Sequence, residues 1–101
     1  MTNAIDEFER KMSLPVTKTI EMDGDFIVLL DPEKSHERWT LHNLFRLRTD
    51  GTIVWTIHQS EALGHVRNVE LEYGRIIAWT WTHMLEVNKR NGKIKESWFT
   101  K

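Results

Sequence analysis

The chain states one hairpin-rich pattern twice. Asp23-Gly24-Asp25-Phe26-Ile27-Val28-Leu29-Leu30 returns as Tyr73-Gly74-Arg75-Ile76-Ile77-Ala78-Trp79-Thr80. Leu44-Phe45-Arg46-Leu47, a turn at Gly51 and Ile53-Val54-Trp55 then return as Met84-Leu85-Glu86-Val87, a turn at Gly92 and Ile94. Internal repetition on this scale constrains architecture before chemistry, because each copy must fold into the same supersecondary unit and bury its apolar face on a neighbour. It also assigns most hydrophobic residues a structural task.

The local signals are β throughout the repeats. Val16–Met22 and Phe26–Leu30 flank Asp23-Gly24, and Leu44–Arg48 and Ile53–His58 flank Thr49-Asp50-Gly51-Thr52. An Asp-Gly pair between apolar runs is a strong hairpin signal. Val66–Tyr73, Arg75–Thr82, Met84–Asn88 and Lys93–Phe99 give four more strands, with turns at Gly74 and Asn91-Gly92. Alternation places Ile53, Trp55 and Ile57 on one face of their strand, and Ile77, Trp79 and Trp81 on one face of theirs. Ahead of the repeats, Ile5, Phe8 and Met12 recur at helical spacing among charged residues. They predict an amphipathic helix over residues 4–14, capped by Thr2 or Asn3 and stopped before Pro15. The expected fold is a single all-β domain over residues 1–101. A first four-stranded unit spans 16–58 and a second spans 66–100, both antiparallel and blade-like, with one short N-terminal helix.

The two halves differ in length. Gly24 and Gly74 are 50 positions apart but Gly51 and Gly92 only 41, so the first half carries about nine extra residues. They fall in the polar insertion 31–42, between the second and third strands. A polar excursion in a tight repeat reads as a functional loop more readily than as framework.

Composition narrows the chemistry. With 101 residues the chain makes one domain, and 14 Lys and Arg against 15 Asp and Glu leave a formal net charge of −1. A protein built to grip phosphate backbones needs a strongly basic surface, so nucleic acid is not an expected partner. The absence of cysteine excludes disulfides and thiolate metal sites. No apolar run has signal-peptide length or approaches the roughly 18 residues of a membrane helix, so the expected location is cytoplasmic, with no membrane partner.

Catalytic signatures are missing. The glycines are single turn residues rather than a phosphate loop, and no nucleophile elbow occurs. His36, His42, His58, His65 and His83 form no compact ligand motif. Convergence of His58, His65 and His83 is the alternative that would make a small metal- or histidine-dependent hydrolase. Lys89, Arg90, Lys93 and Lys95 cluster on one hairpin, as solvated turns do. Acids, by contrast, are concentrated: Glu21, Asp23, Asp25, Asp31 and Glu33 lie in a stretch without Lys or Arg. Trp39 sits inside the insertion with no alternating partner, and tryptophan is enriched at binding hot spots.

The segment Asn43-Leu44-Phe45-Arg46-Leu47-Arg48-Thr49-Asp50-Gly51-Thr52-Ile53-Val54-Trp55 resembles one blade of the quinoprotein-type β-propellers. Met84 to Ile94 resembles it with one more turn residue and no tryptophan. This resemblance implies half-propeller-like sheets and carries no quinone chemistry, since two blades cannot close a ring. In size and class the chain also resembles small bacterial immunity proteins for secreted toxins. On that resemblance the expected function is a non-enzymatic, cofactor-free, protein-binding domain that occludes the active site of a basic nuclease-type toxin. Its partner-binding residues would be Asp23, Asp25, Asp31, Glu33 and Glu37 as phosphate mimics, Trp39 as apolar anchor, and His36 and His42 at the rim. Self-association of two-blade units through exposed terminal strands is a third reading.

Overall fold

The computed structural model describes residues 3–32, 41–58 and 63–100. Helix α1 (Ala4–Met12) leads into two antiparallel sheets: β1 (Val16–Met22), β2 (Asp25–Leu30), β3 (Leu44–Leu47) and β4 (Ile53–Thr56), then β5 (Asn68–Glu72), β6 (Arg75–Trp79), β7 (His83–Val87) and β8 (Ile94–Phe99). In each sheet the spatial order is the chain order. The expected architecture of two four-stranded units and one helix is what forms.

The cap of α1 is Asn3, whose Oδ1 accepts from the Asp6 N–H at 2.8 Å. The helix stops two residues short of the expected 4–14 because Ser13 turns left-handed and closes the last turn by donating to the Glu9 and Arg10 carbonyls. Glu9 Oε2 then accepts from the Val16 N–H at 2.7 Å, fastening the helix to β1. Two-residue turns join β1 to β2 and β5 to β6. Asp23 and Gly24, like Tyr73 and Gly74, take positive φ at both central positions, whose twist matches that of the flanking strands.

Each sheet carries the same irregularity at the same place, between Arg46 and Leu47 opposite β4 and between Glu86 and Val87 opposite β8. The extra residue in β4 reverses the expected orientation of Ile53. Ile53 opposes Leu47, Trp55 opposes Arg46 and Thr56 opposes Phe45, so Ile53 shares a face with Leu47 and Phe45 instead of with Trp55 and Ile57.

Two apolar clusters result. The larger joins the sheets: Ile27, Leu29, Leu44, Trp55 and Ile57 of the first half against Val69, Ile76, Ala78, Leu85 and Val87 of the second. The smaller joins Phe8 of α1 to Val28, Leu30, Phe45 and Leu47. Phe8 and Phe45 meet edge to face at 5.0 Å, a favoured aromatic geometry.

Which residues face inward differs between the halves, and this fixes how they stack. The ladders make Ile27 the counterpart of Ile77, Val28 of Ala78, Leu44 of Met84 and Phe45 of Leu85. Ile27 and Leu44 point at the second sheet, whereas Ala78 and Leu85 point at the first. The sheets therefore stack head to tail, one face of the first against the opposite face of the second. The remaining face of the first sheet is the one an earlier sheet would cover, and α1 lies there instead.

Candidate functional site

The acid-rich segment does not form one patch. Asp23 and Asp25 lie at the hairpin end of β2 and Asp31 follows its other end, so strand geometry alone separates Asp25 from Asp31 by roughly 20 Å. Asp25 is engaged internally, accepting from Arg46 Nε at 2.8 Å with both side chains largely buried. Asp23 reaches Lys89 Nζ of the second sheet at 3.3 Å, both groups half exposed, a contact of small energetic weight. Glu33, His36, Glu37 and Trp39 fall outside the described residues. His42 lines a wide apolar recess of 640 Å³ with Met12, Phe45 and Ile53.

Asp31 belongs to a different feature, a cleft of 490 Å³ where the insertion leaves the first sheet and the chain enters the second. Thr17, Asp31, His65, Arg67 and Trp81 line it. Two of its lining residues, Leu30 and Val66, are tied together by Asn43, which is fully buried. Its Nδ2 donates to the Leu30 and Val66 carbonyls at 2.7 and 2.8 Å, and its Oδ1 accepts from the Val66 N–H at 2.8 Å. One amide thus satisfies both halves at their junction, an arrangement that holds buried backbone groups in place.

Trp81 departs from the sequence expectation. Alternation groups it with Ile77 and Trp79, but β6 ends at Trp79, and the Thr80 hydroxyl accepts from the backbone N–H groups of His83 and Thr82 at 3.1 and 3.4 Å. That side-chain turn bends the strand and turns Trp81 outward, 60% exposed. The Arg67 guanidinium lies over its ring, 3.5 Å from the centroid, which holds the indole by cation–π attraction. Neither Arg67 nor Asn43 stands out in the sequence as a site residue. An Asn that opens a buried strand directly after a polar insertion is the one available signal for Asn43.

The tryptophans divide accordingly. Trp55 is buried, and its Nε1 donates to the Lys89 carbonyl at 2.7 Å across the sheet junction. Trp79 is half buried, while Trp81, Trp98, Phe99 and Tyr73 are exposed, all four in the second half.

The three histidines whose convergence would make a hydrolase, His58, His65 and His83, occupy separate surroundings. His58 lines the recess with His42, His65 lines the cleft with Trp81, and His83 Nδ1 pairs with the Thr82 hydroxyl at 2.7 Å while its ring meets Phe99. Among the described residues no three His, Cys, Asp or Glu side chains group as a metal would require. No helix among the described residues is long and apolar enough to cross a membrane.

A family model matches residues 2–99, and the chain belongs to that family, which is described as Domain of unknown function (DUF7957). No curated protein and no solved structure matches the chain.

Proposed function

We propose that this member of the family is a non-enzymatic protein-binding domain, of the immunity type, that disarms a cationic nuclease-like toxin by covering its active site. The observation that carries the reading is Trp81. A large aromatic side chain is held outward by Arg67 at a cleft lined by Asp31 and Pro32, just past the end of β2. An exposed indole that is already immobilised offers contact area at low ordering cost, as binding hot spots require.

In this reading the indole is the apolar anchor. Asp31, with Glu33 and Glu37 of the insertion, supplies the negative charge that steers a basic partner, an effect on association rate and register more than on raw affinity. Asp25 contributes differently, since its ion pair with Arg46 commits it to the framework.

Co-expression with the product of the adjacent gene tests the proposal. A stable complex, protection of the host cells, and weakening of both by Trp81→Ala and by Asp31→Asn are expected. Absence of both complex and protection rules the reading out.

A further inference from the structure

Head-to-tail stacking leaves one sheet face without a neighbour. The first sheet is covered by α1 on one side and by the second sheet on the other. The second sheet buries Val69, Ile76, Ala78, Leu85 and Val87 against the first, and among the described residues no helix or strand lies over its opposite face. That face is the counterpart of the one by which the first sheet grips the second. The molecule therefore displays, once, how such a face engages a neighbour.

The comparison is position by position. Ile27, Leu29, Leu44 and Ile57 become Ile77, Trp79, Met84 and Trp98, so the apolar half of the surface is kept. Trp98 on it remains 39% exposed. Ile20, Met22, Arg46 and Trp55 become Glu70, Glu72, Glu86 and Glu96. The internal ion pair survives with its signs exchanged: Asp25 with Arg46 in the first sheet, Arg75 with Glu86 in the second.

This exchange inverts the hydrogen-bonding polarity. In the first sheet Arg46 and Trp55 are donors, and both donate to the Lys89 carbonyl on the turn of the neighbouring sheet, each at 2.7 Å. Their counterparts Glu86 and Glu96 only accept when ionised. Glu86 is nearly buried, with Lys95 and Arg75 at 3.3 and 3.6 Å, while Glu72 and Glu96 are exposed. Glu86 is therefore satisfied within the sheet and Glu70 is held by Lys18 of β1, so a neighbour that presented carbonyls would meet the exposed carboxylates of Glu72 and Glu96. One that presents N–H groups of lysine or arginine would be matched.

We infer that the outer face of the second sheet is a docking surface for a protein segment that combines an apolar residue with lysine or arginine. The apolar residue packs on Trp79, Met84 and Trp98, and the cations reach the exposed Glu72 and Glu96. The inference deepens the protein-binding reading by naming a second contact surface and the partner's chemistry. A second copy of this chain fits less well, because its matching face lies under α1.

The test pans a random peptide library against the immobilised full chain. Soluble chain carrying Trp98→Ala, Glu72→Lys and Glu96→Lys serves as counter-competitor, with circular dichroism confirming that the exposed substitutions leave the fold intact. Enriched peptides pair an apolar residue with Lys or Arg, and their affinity falls at least about tenfold, a loss of about 1.4 kcal/mol, on Trp98→Ala or on the double glutamate variant. Trp81→Ala and Asp31→Asn leave it unchanged. Peptides that map to Trp81 and Asp31 would overturn the inference and leave the proposed function standing. Failure to enrich any peptide, or enrichment without cationic excess, overturns it as well. A concentration-dependent dimer in light scattering that Trp98→Ala abolishes assigns the face to a second copy instead.

Discussion

Gly92 is packed against the ring of Trp55, so that a Cβ at Gly92 would lie 2.7 Å from Cε3 of the indole. The turn that carries Gly92 also accepts from Trp55 Nε1 through the Lys89 carbonyl and from the His58 N–H through the Gly92 carbonyl. The two sheets are thus keyed by one indole against one glycine. Because Gly92 also has φ +76°, Gly92→Ala combines left-handed backbone strain with a clash against a ring that has no room to retreat. A loss of about 3 kcal/mol or more is expected in urea denaturation. Gly74, at φ +76° with open space around it, is the control. Gly74→Ala should cost only about 1 kcal/mol, and equal losses at the two sites would refute the keyed junction.

Asn43→Ala removes three hydrogen bonds and leaves the Val66 N–H and two carbonyls buried without that partner. Orphaned buried groups are costly, and a loss of about 3 kcal/mol follows. Hydrogen exchange should report it locally, with the Val66 amide losing protection before the strand amides of β6. Retained protection at Val66 would show that the amide does not hold the junction.

Phe8→Ala strips the centre of the face that α1 covers. Large-to-small replacement of a buried aromatic costs about 3–5 kcal/mol, here taken from the cluster with Val28, Phe45 and Leu47. Because the larger cluster is separate, the variant should expose the first sheet while the second keeps its near-ultraviolet tryptophan signal. Simultaneous loss of both would mean that the two clusters fold as one unit.

Asp50 accepts hydrogen bonds from the side chain and the backbone N–H of Thr52, which hold its carboxyl below the ordinary carboxylate value. A depressed folded value favours the folded state above the unfolded carboxylate pKa, and that contribution is lost as pH falls through the folded value. In Asp50→Asn the acid limb of stability should flatten. Carboxyl titration by NMR checks the premise: a midpoint for Asp50 at or above that of an unstructured peptide would defeat it.

Much of the architecture is legible in the sequence because turns and periodicity act locally. Asp23-Gly24 and Tyr73-Gly74 announce their hairpins, and Phe26–Leu30 announces a strand buried on both sides. Orientation is harder to read. An added residue in β4 turns Ile53 over, and nothing in Ile53-Val54-Trp55 marks it. Trp81 follows Ile77 and Trp79 at perfect alternation, yet the Thr80 hydroxyl bends the chain beneath it. The order of stacking is also hidden, since Ile27, Val28, Leu29 and Leu30 are apolar on both faces and suit either one. At the candidate site the cluster of acids exists along the chain but not in space, because β2 carries Asp25 and Asp31 to opposite ends. Arg67 finds Trp81 only through the meeting of β5 and β6, a proximity that spacing alone does not reveal.

Head-to-tail packing has no natural terminus, since every added layer offers the surface that the next one needs. Linear arrays built this way lengthen into fibres or close into rings unless something blocks an end. Here a nine-residue amphipathic helix occupies the leading position. By sitting where another layer would begin, α1 makes a modular series finite in that direction, and its loss would free the leading face for growth.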